Sequence, residues 1–131
     1  MAYLNISAAA KNARAIALNN EVGGGAILRI YTGSPPAALN ITATGTLLAS
    51  MNCDSGAFGT VSNGIITVNP IEQTFASASG TAGYARVYKN DGITAVIDLD
   101  VSTTGASINL NTTAIVTGGP VAITVLTISE E

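Results

Sequence analysis

Hydrophobic and polar residues alternate most cleanly between Gly80 and Val101. Tyr84, Arg86 and Tyr88 share one face of an extended segment, and Ala85 and Val87 share the other. Asn90-Asp91-Gly92 follows, a three-residue loop with its glycine placed for the left-handed conformation. Beyond it Ile93, Ala95, Ile97, Leu99 and Val101 fall on one face. Thr94, Asp98 and Asp100 fall on the other, with Val96 the exception. Period-two patterning of this kind predicts a β-hairpin with one buried face. A slip of one residue would turn Asp98 and Asp100 into the core, so the register is strongly specified. Ile93, Ile97 and Leu99 are the expected core residues of this hairpin.

The remaining pattern places short strands around the hairpin. An alanine-rich segment from Ala8 to Asn20, capped by Asn5 or Ser7, predicts a helix. Ile16 and Leu18 are nearly its only large apolar residues, so its stripe is thin and it must dock on the β domain or on a neighbouring subunit. Gly23-Gly24-Gly25 ends the helix and supplies a flexible joint. Strands follow over Ala26–Tyr31, Thr46–Asn52 and Ile65–Asn69. Between the first two lies a loop, Thr32–Thr44, containing Pro35-Pro36; between the second and third lies a loop anchored by Phe58 and closed by the Asn63-Gly64 turn. After the hairpin, one or two strands occupy Ala106–Asn111 and Thr113–Thr117, and Gly118-Gly119-Pro120 turns the chain into Val121–Ser129. In that last strand Val121, Ile123 and Val125 face one way. Ala122, Leu126 and Ile128 make the other side apolar as well, which places it centrally in a sheet.

Seven or eight short strands with regular turns predict a mostly β protein, an antiparallel β-sandwich of jelly-roll type with a short N-terminal α-helix. The expected organisation is a helical arm over residues 1–22 and a β-sandwich domain over residues 23–131. An arm joined in this way implies that deleting residues 1–20 leaves a folded β domain.

Composition changes this picture in one respect. Charged residues are only 10% of the 131, well below the usual quarter, so the polar surface is built from Ser, Thr and Asn. Such a surface suits a protein that works packed against others. The net charge is −3 and the five basic residues are scattered, which argues against nucleic-acid binding. No apolar run is long enough to predict a membrane span, and Met1–Ala10 lacks the charge and apolar blocks of a signal peptide. Cys53 stands alone and is expected as a small core or loop residue, without a disulfide. The sequons at Asn5, Asn40 and Asn111 are expected by chance in a chain so rich in Asn, Ser and Thr.

Candidate chemistry is sparse. The chain has no histidine, which removes His-based triads and the usual transition-metal sites. Asp98 and Asp100 point to one side of a strand and are candidates to share a cation or a proton; two solvated carboxylates is the stronger expectation. Asp54 and Glu72 lie in loops without a visible partner, and Lys11 and Arg14 read as a solvated helix face. Tyr31, Tyr84 and Tyr88 form either a sugar-binding platform or, on stronger grounds, packing with the hydroxyl reaching water. The glycines before Ala26 lack the order and the Lys-Ser/Thr ending of a phosphate loop. These residues predict no enzyme, no metal and no cofactor.

Several segments carry a resemblance: Lys11-Asn12-Ala13-Arg14-Ala15, the run Leu28 to Pro36, Gly45-Thr46-Leu47-Leu48-Ala49, Gly80 to Val87, and Leu110 to Val121. Together they span nearly the whole chain, and it resembles small virion structural proteins of tailed bacteriophages. The shared motifs are turns and strands, so no catalytic residue is carried over. The resemblance implies a capsid decoration, or cement, protein located in the virion and assembled in the bacterial host cytoplasm. It also implies a partner in the major capsid protein and self-association, as a trimer in preference to other states, with no nucleic-acid or membrane partner. The expected interface anchors are Ile16, Leu18, Tyr31 and Tyr84. Alternative expectations are a tail, collar or baseplate component, and a glycan- or receptor-binding sandwich module.

Overall fold

A computed structural model describes residues 7–129 of the chain. Helix α1 spans Ala8–Val22, and Ser7 caps it by accepting a hydrogen bond from the Ala10 N–H at 3.1 Å. Asn5, the other candidate cap, lies outside the described residues. Eleven strands follow among those residues: β1 (Ile27–Thr32), β2 (Leu47–Asn52), β3 (Gly59–Ser62), β4 (Ile65–Val68), β5 (Thr74–Phe75), β6 (Gly80–Tyr88), β7 (Ala95–Ser102), β8 (Ile108–Leu110), β9 (Ala114–Ile115), β10 (Pro120–Val121) and β11 (Ile123–Ser129). The mostly β character and the single short helix match the expectation from sequence. The added strands are β3, inside the Phe58 loop, and the two-residue ribbon of β5 with β10.

The main sheet runs β2-β1-β6-β7-β8-β11-β4-β3, with β9 joined to the start of β6. β11 is central, as its two apolar sides predict. The sheet is mixed, which corrects the expected antiparallel arrangement: β7 and β8 run parallel, pairing Val101 with Ile108 and Ser102 with Asn109. Parallel neighbours ordinarily need a long crossover. Here the ladder is only two pairs long, so residues 103–107 need only return the chain by about one residue's rise. Two side chains hold that corner. Asp100 accepts from the Ser107 N–H at 3.0 Å, and Asn109 bonds the Ala106 N–H and C=O, each at 3.1 Å.

Strand pairing is interrupted four times, and each interruption is a β-bulge that moves a side chain off the face simple alternation assigns. The extra residues are Leu48 against Ile30/Tyr31, Gly83 against Tyr31/Thr32, Val96 against Val87/Tyr88, and Thr124 against Leu110/Asn109. Leu48 is thereby buried beside Ala49. Val125 turns outward while Leu126 and Ile128 turn in. Gly83 sits where the Gly33 carbonyl passes so close that a Cβ would lie 1.9 Å from its oxygen. Bulges sharpen local twist and bend the strand, and the two ends of this sheet accordingly share one core. Leu28, Ile30 and Val87 from one half pack in the same cluster as Ile66, Ile108, Leu110 and Leu126 from the other, with Phe58 and Cys53. Burial pushes the Cys53 thiol up to about 11, so it is an inert core group.

The central hairpin forms as predicted, with Tyr84 opposite Asp100 and Arg86 opposite Asp98. Its turn is one residue longer than predicted. Lys89 N–H bonds Thr94 C=O at 2.9 Å, and Asp91 accepts from both the Ile93 and Thr94 N–H groups, at 2.8 and 2.9 Å. These bonds draw Ile93 into the loop, where it is 81% exposed; it is not a core residue. The bulge at Val96 then puts Ala95 opposite Tyr88, so of the five residues expected to face inward Ile97, Leu99 and Val101 do, and Val96 packs against the core with them.

Helix α1 docks on the β3–β4 hairpin of its own chain. Ala15 and Val22 enter the common core, with Leu18 half-buried against it. Asn12 and Asn19, two turns apart on the helix, clamp the two ends of the hairpin. Asn12 Oδ1 accepts from the Gly64 N–H, and Asn19 Nδ2 donates to the Gly59 carbonyl, each at 3.1 Å. The glycines after the helix are packed, and this corrects the flexible joint. Gly25 N–H bonds Asp54 C=O at 2.8 Å, and a Cβ on Gly24 would lie 2.3 Å from the Ser55 oxygen. Because the helix contributes core and two clamps, deleting residues 1–20 is expected to destabilise the remaining chain. A loss of about 3 kcal/mol, or roughly 10 °C in Tm, follows from the lost burial and hydrogen bonds. A thermal melt of the truncated chain superimposing on that of the full chain would refute this docking.

Candidate functional site

The outer face of β1, β6 and β7 carries most of the chain's polar chemistry. Tyr31 and Tyr84 stack with ring centroids 5.3 Å apart and an interplanar angle of 17°. Tyr31 and Tyr88 share a hydrogen bond between hydroxyls at 3.1 Å. The Arg29 guanidinium lies 4.7 Å over the Tyr88 ring and donates to the Gly92 carbonyl at 3.1 Å, tying the hairpin turn to the sheet. Arg86 stands among these rings at 1% exposure.

The loop over residues 33–46 covers this face. Tyr84 Oη donates to the Thr44 carbonyl at 2.7 Å and accepts from the Thr44 N–H at 3.1 Å. Arg86 donates to the Ile41 carbonyl at 2.7 Å and to the Ala38 carbonyl at 3.5 Å. On its other side Arg86 forms a bidentate pair with Asp98, at 2.7 and 3.0 Å. Those bonds to Asp98 raise the guanidinium's pKa against the opposing effect of burial and keep it charged.

Of the two carboxylates expected to be solvated, Asp100 is exposed and Asp98 is not. Asp98 is the counter-ion of a buried arginine, and Asp100 holds the 103–107 corner through Ser107. Among the described residues no group of three or more Asp, Glu, Cys or His side chains is placed to hold a metal ion. Asp54 caps the Gly56 and Ala57 N–H groups of its own loop. Glu72 lies exposed beside a hollow of about 180 Å³ along β2.

Of the four expected anchors, Tyr31 and Tyr84 are buried, and Tyr84 holds the loop through Thr44 while Tyr31 stacks on Tyr84. Ile16 is exposed on α1, and Leu18 is half-buried against the core. The apolar surface on this side belongs to Leu39 and Ile41, which no pattern in the sequence marks, and to Ile93, which the alternation places inside. Leu39, Ile41 and Ile93 surround a hollow of about 180 Å³ whose floor includes Arg86, Tyr88 and Ala95. Their exposures are 37%, 46% and 81%. The first two stand on backbone fixed by Arg86, and the third on a turn fixed by Asp91 and Arg29. Backbone N–H groups of Thr94 and Ile93 lower the Asp91 carboxyl to about 2, so that turn keeps its charge-assisted bonds across the ordinary pH range. A further groove of about 290 Å³ opens where β4 and β11 part beyond the Thr67–Thr127 pair, lined only by uncharged residues.

No helix among the described residues is long and apolar enough to cross a membrane. Compared with known proteins, the chain matches no protein family, no curated protein and no solved structure.

Two outcomes test this architecture. Asp98→Asn leaves the buried guanidinium without its counter-charge and is expected to cost about 3 kcal/mol. Asp100→Asn, which weakens one hydrogen bond, is expected to cost about 1 kcal/mol. Equal losses in urea unfolding would contradict the burial of the Arg86–Asp98 pair. The second concerns alkali. Burial, and then the hydrogen bond with Tyr88, push the Tyr31 phenol up to about 12. The same phenol ionises near 10 in an unfolded chain. Between those values the fold holds a proton that the unfolded chain has lost, so stability is intact below about pH 10 and falls as pH rises toward 12. Ultraviolet tyrosinate titrations of the native protein and of its Tyr31→Phe variant should differ by a delayed phenol that the substitution removes, and the delay should vanish when the protein is unfolded in urea.

Proposed function

We propose that the protein is a structural component of a tailed-phage particle, a capsid decoration protein that binds across neighbouring major capsid subunits and stabilises the head. The observation that carries this reading is the trio Leu39, Ile41 and Ile93, three large apolar side chains held outward on loops whose backbone is pinned from beneath. An apolar patch on rigid backbone binds a protein surface without first having to be ordered, and such anchors contribute most of an interface's energy. The weakly charged surface and the segments resembling small virion proteins point the same way. The curled sheet with its single core is read as a jelly-roll-like sandwich adapted to this role. Self-association, as a trimer in preference to other states, would multiply weak contacts into high avidity.

Assembly into a tail, collar or baseplate ring would use the same patch. A glycan platform is the less favoured reading, because Tyr31, Tyr84 and Tyr88 are buried under the 33–46 loop and its turn.

The test is binding of purified protein to phage heads that lack it. Ile41→Asp and Ile93→Asp are expected to weaken binding by roughly thirtyfold each, with little change in Tm. Parental affinity in both variants removes the patch from the interface. The copy number per particle then separates head from tail. A stoichiometry on the scale of the capsid protein supports decoration, and that of a single ring excludes it.

A further inference from the structure

Asn63 is the only asparagine of the chain followed by glycine. It is the residue type most prone to deamidation when the next residue leaves its backbone nitrogen open to attack the side chain. Asn63 is exposed at the tip of the β3–β4 hairpin, in a two-residue turn with φ of 52° at Asn63 and 76° at Gly64. Gly64, by contrast, is buried, and its N–H donates to Asn12 Oδ1 of helix α1 at 3.1 Å. A Cβ placed on Gly64 would lie 3.2 Å from the Lys11 Cβ, so the helix packs directly on the glycine whose nitrogen is in question.

We propose that Asn63 is a latent modification site whose deamidation is blocked by the docked helix. The reaction needs the Gly64 nitrogen to give up its proton and form a bond to Asn63 Cγ. The Cγ–Nδ2 bond then breaks, and Nδ2 leaves as ammonia carrying that proton. Water opens the resulting succinimide at either carbonyl, giving aspartate or isoaspartate at position 63, with no redox change. A hydrogen bond to Asn12 opposes the first step, because the nitrogen must surrender its partner together with its proton. It also opposes the second, because the turn must twist to bring Cγ over a nitrogen held against α1. An isoaspartate would add a backbone atom to a two-residue turn, whose geometry sets the β3–β4 register. It would thereby disturb the hairpin that carries α1. Deamidation at Asn63 thus records whether the helix has stayed on its own hairpin, the question raised by its thin apolar stripe.

The experiment is incubation of the full chain at mildly alkaline pH. Peptide mass spectrometry then follows the one-dalton gain and the isoaspartate content at Asn63, with Asn52 as an internal reference. The native protein is expected to deamidate at Asn63 far more slowly than the same chain in urea. Asn12→Ala is expected to speed the native reaction by roughly five- to tenfold, the worth of one hydrogen bond. Asn12→Asp, which keeps an acceptor oxygen, should stay near the parental rate. Circular dichroism checks that each variant keeps its helix. Overturning results are a native rate equal to that in urea, or an Asn12→Ala variant with an intact helix and an unchanged rate.

Discussion

A guanidinium that is 1% exposed must have its charge and its five N–H donors answered inside the protein, and Arg86 is answered from two directions. Asp98, directly across the ladder, takes two of its bonds, and the carbonyls of Ile41 and Ala38 take others. The second set is what organises the molecule. It fixes where the 33–46 loop lies, because a loop that covers Arg86 has to supply acceptors for the donors it takes out of water. Tyr84 repeats the arrangement two residues earlier with both the N–H and C=O of Thr44. A segment without regular structure is thereby held by its backbone, and its side chains are left free to face solvent.

This dependence also explains which parts of the molecule were legible in the sequence. Gly80–Val101 was legible because its pairing is local and its alternation strong; even the exception at Val96 was visible, and it marks a bulge. Asn63-Gly64, the Ser7 cap and the central place of the last strand were legible for the same reason. The outer face was not. Period-two alternation says that Tyr84, Arg86 and Tyr88 share a side, but nothing local says that a loop forty residues away will cover them. Solvent was the default occupant of that side, so the tyrosines and the Asp98 carboxylate that serve as internal fasteners looked like surface chemistry.

The departures at Ile93 and Val125 share one physical origin. Each lies at or next to a place where the ladder gains a residue or yields to a side-chain–backbone bond. Asp91 competes with strand pairing by offering its carboxylate to the Ile93 and Thr94 N–H groups. Alternation then changes phase, and an apolar residue expected inside is delivered outside. The parallel β7–β8 contact has a related cause: Asp100 and Asn109 supply bonds that a five-residue corner cannot make for itself. In each case a polar side chain decides where the apolar ones go, a coupling that a scan of hydrophobic period alone does not detect.

A buried ion pair is a weak source of stability, since well-packed apolar residues of the same volume often do as well or better. The Arg86–Asp98 pair therefore needs another reason to exist, and the geometry offers one. An apolar replacement would give the loop a surface to rest on but no fixed position, because dispersion contacts tolerate sliding where hydrogen bonds do not. With Arg86 present, the Ile41 carbonyl has one place to be, and the Leu39 and Ile41 side chains are set in position relative to Ile93. Specifying a small exposed patch is a task for directional bonds beneath it. A protein that binds by a few outward apolar residues needs that positioning more than it needs the extra stability a hydrophobic pair would supply.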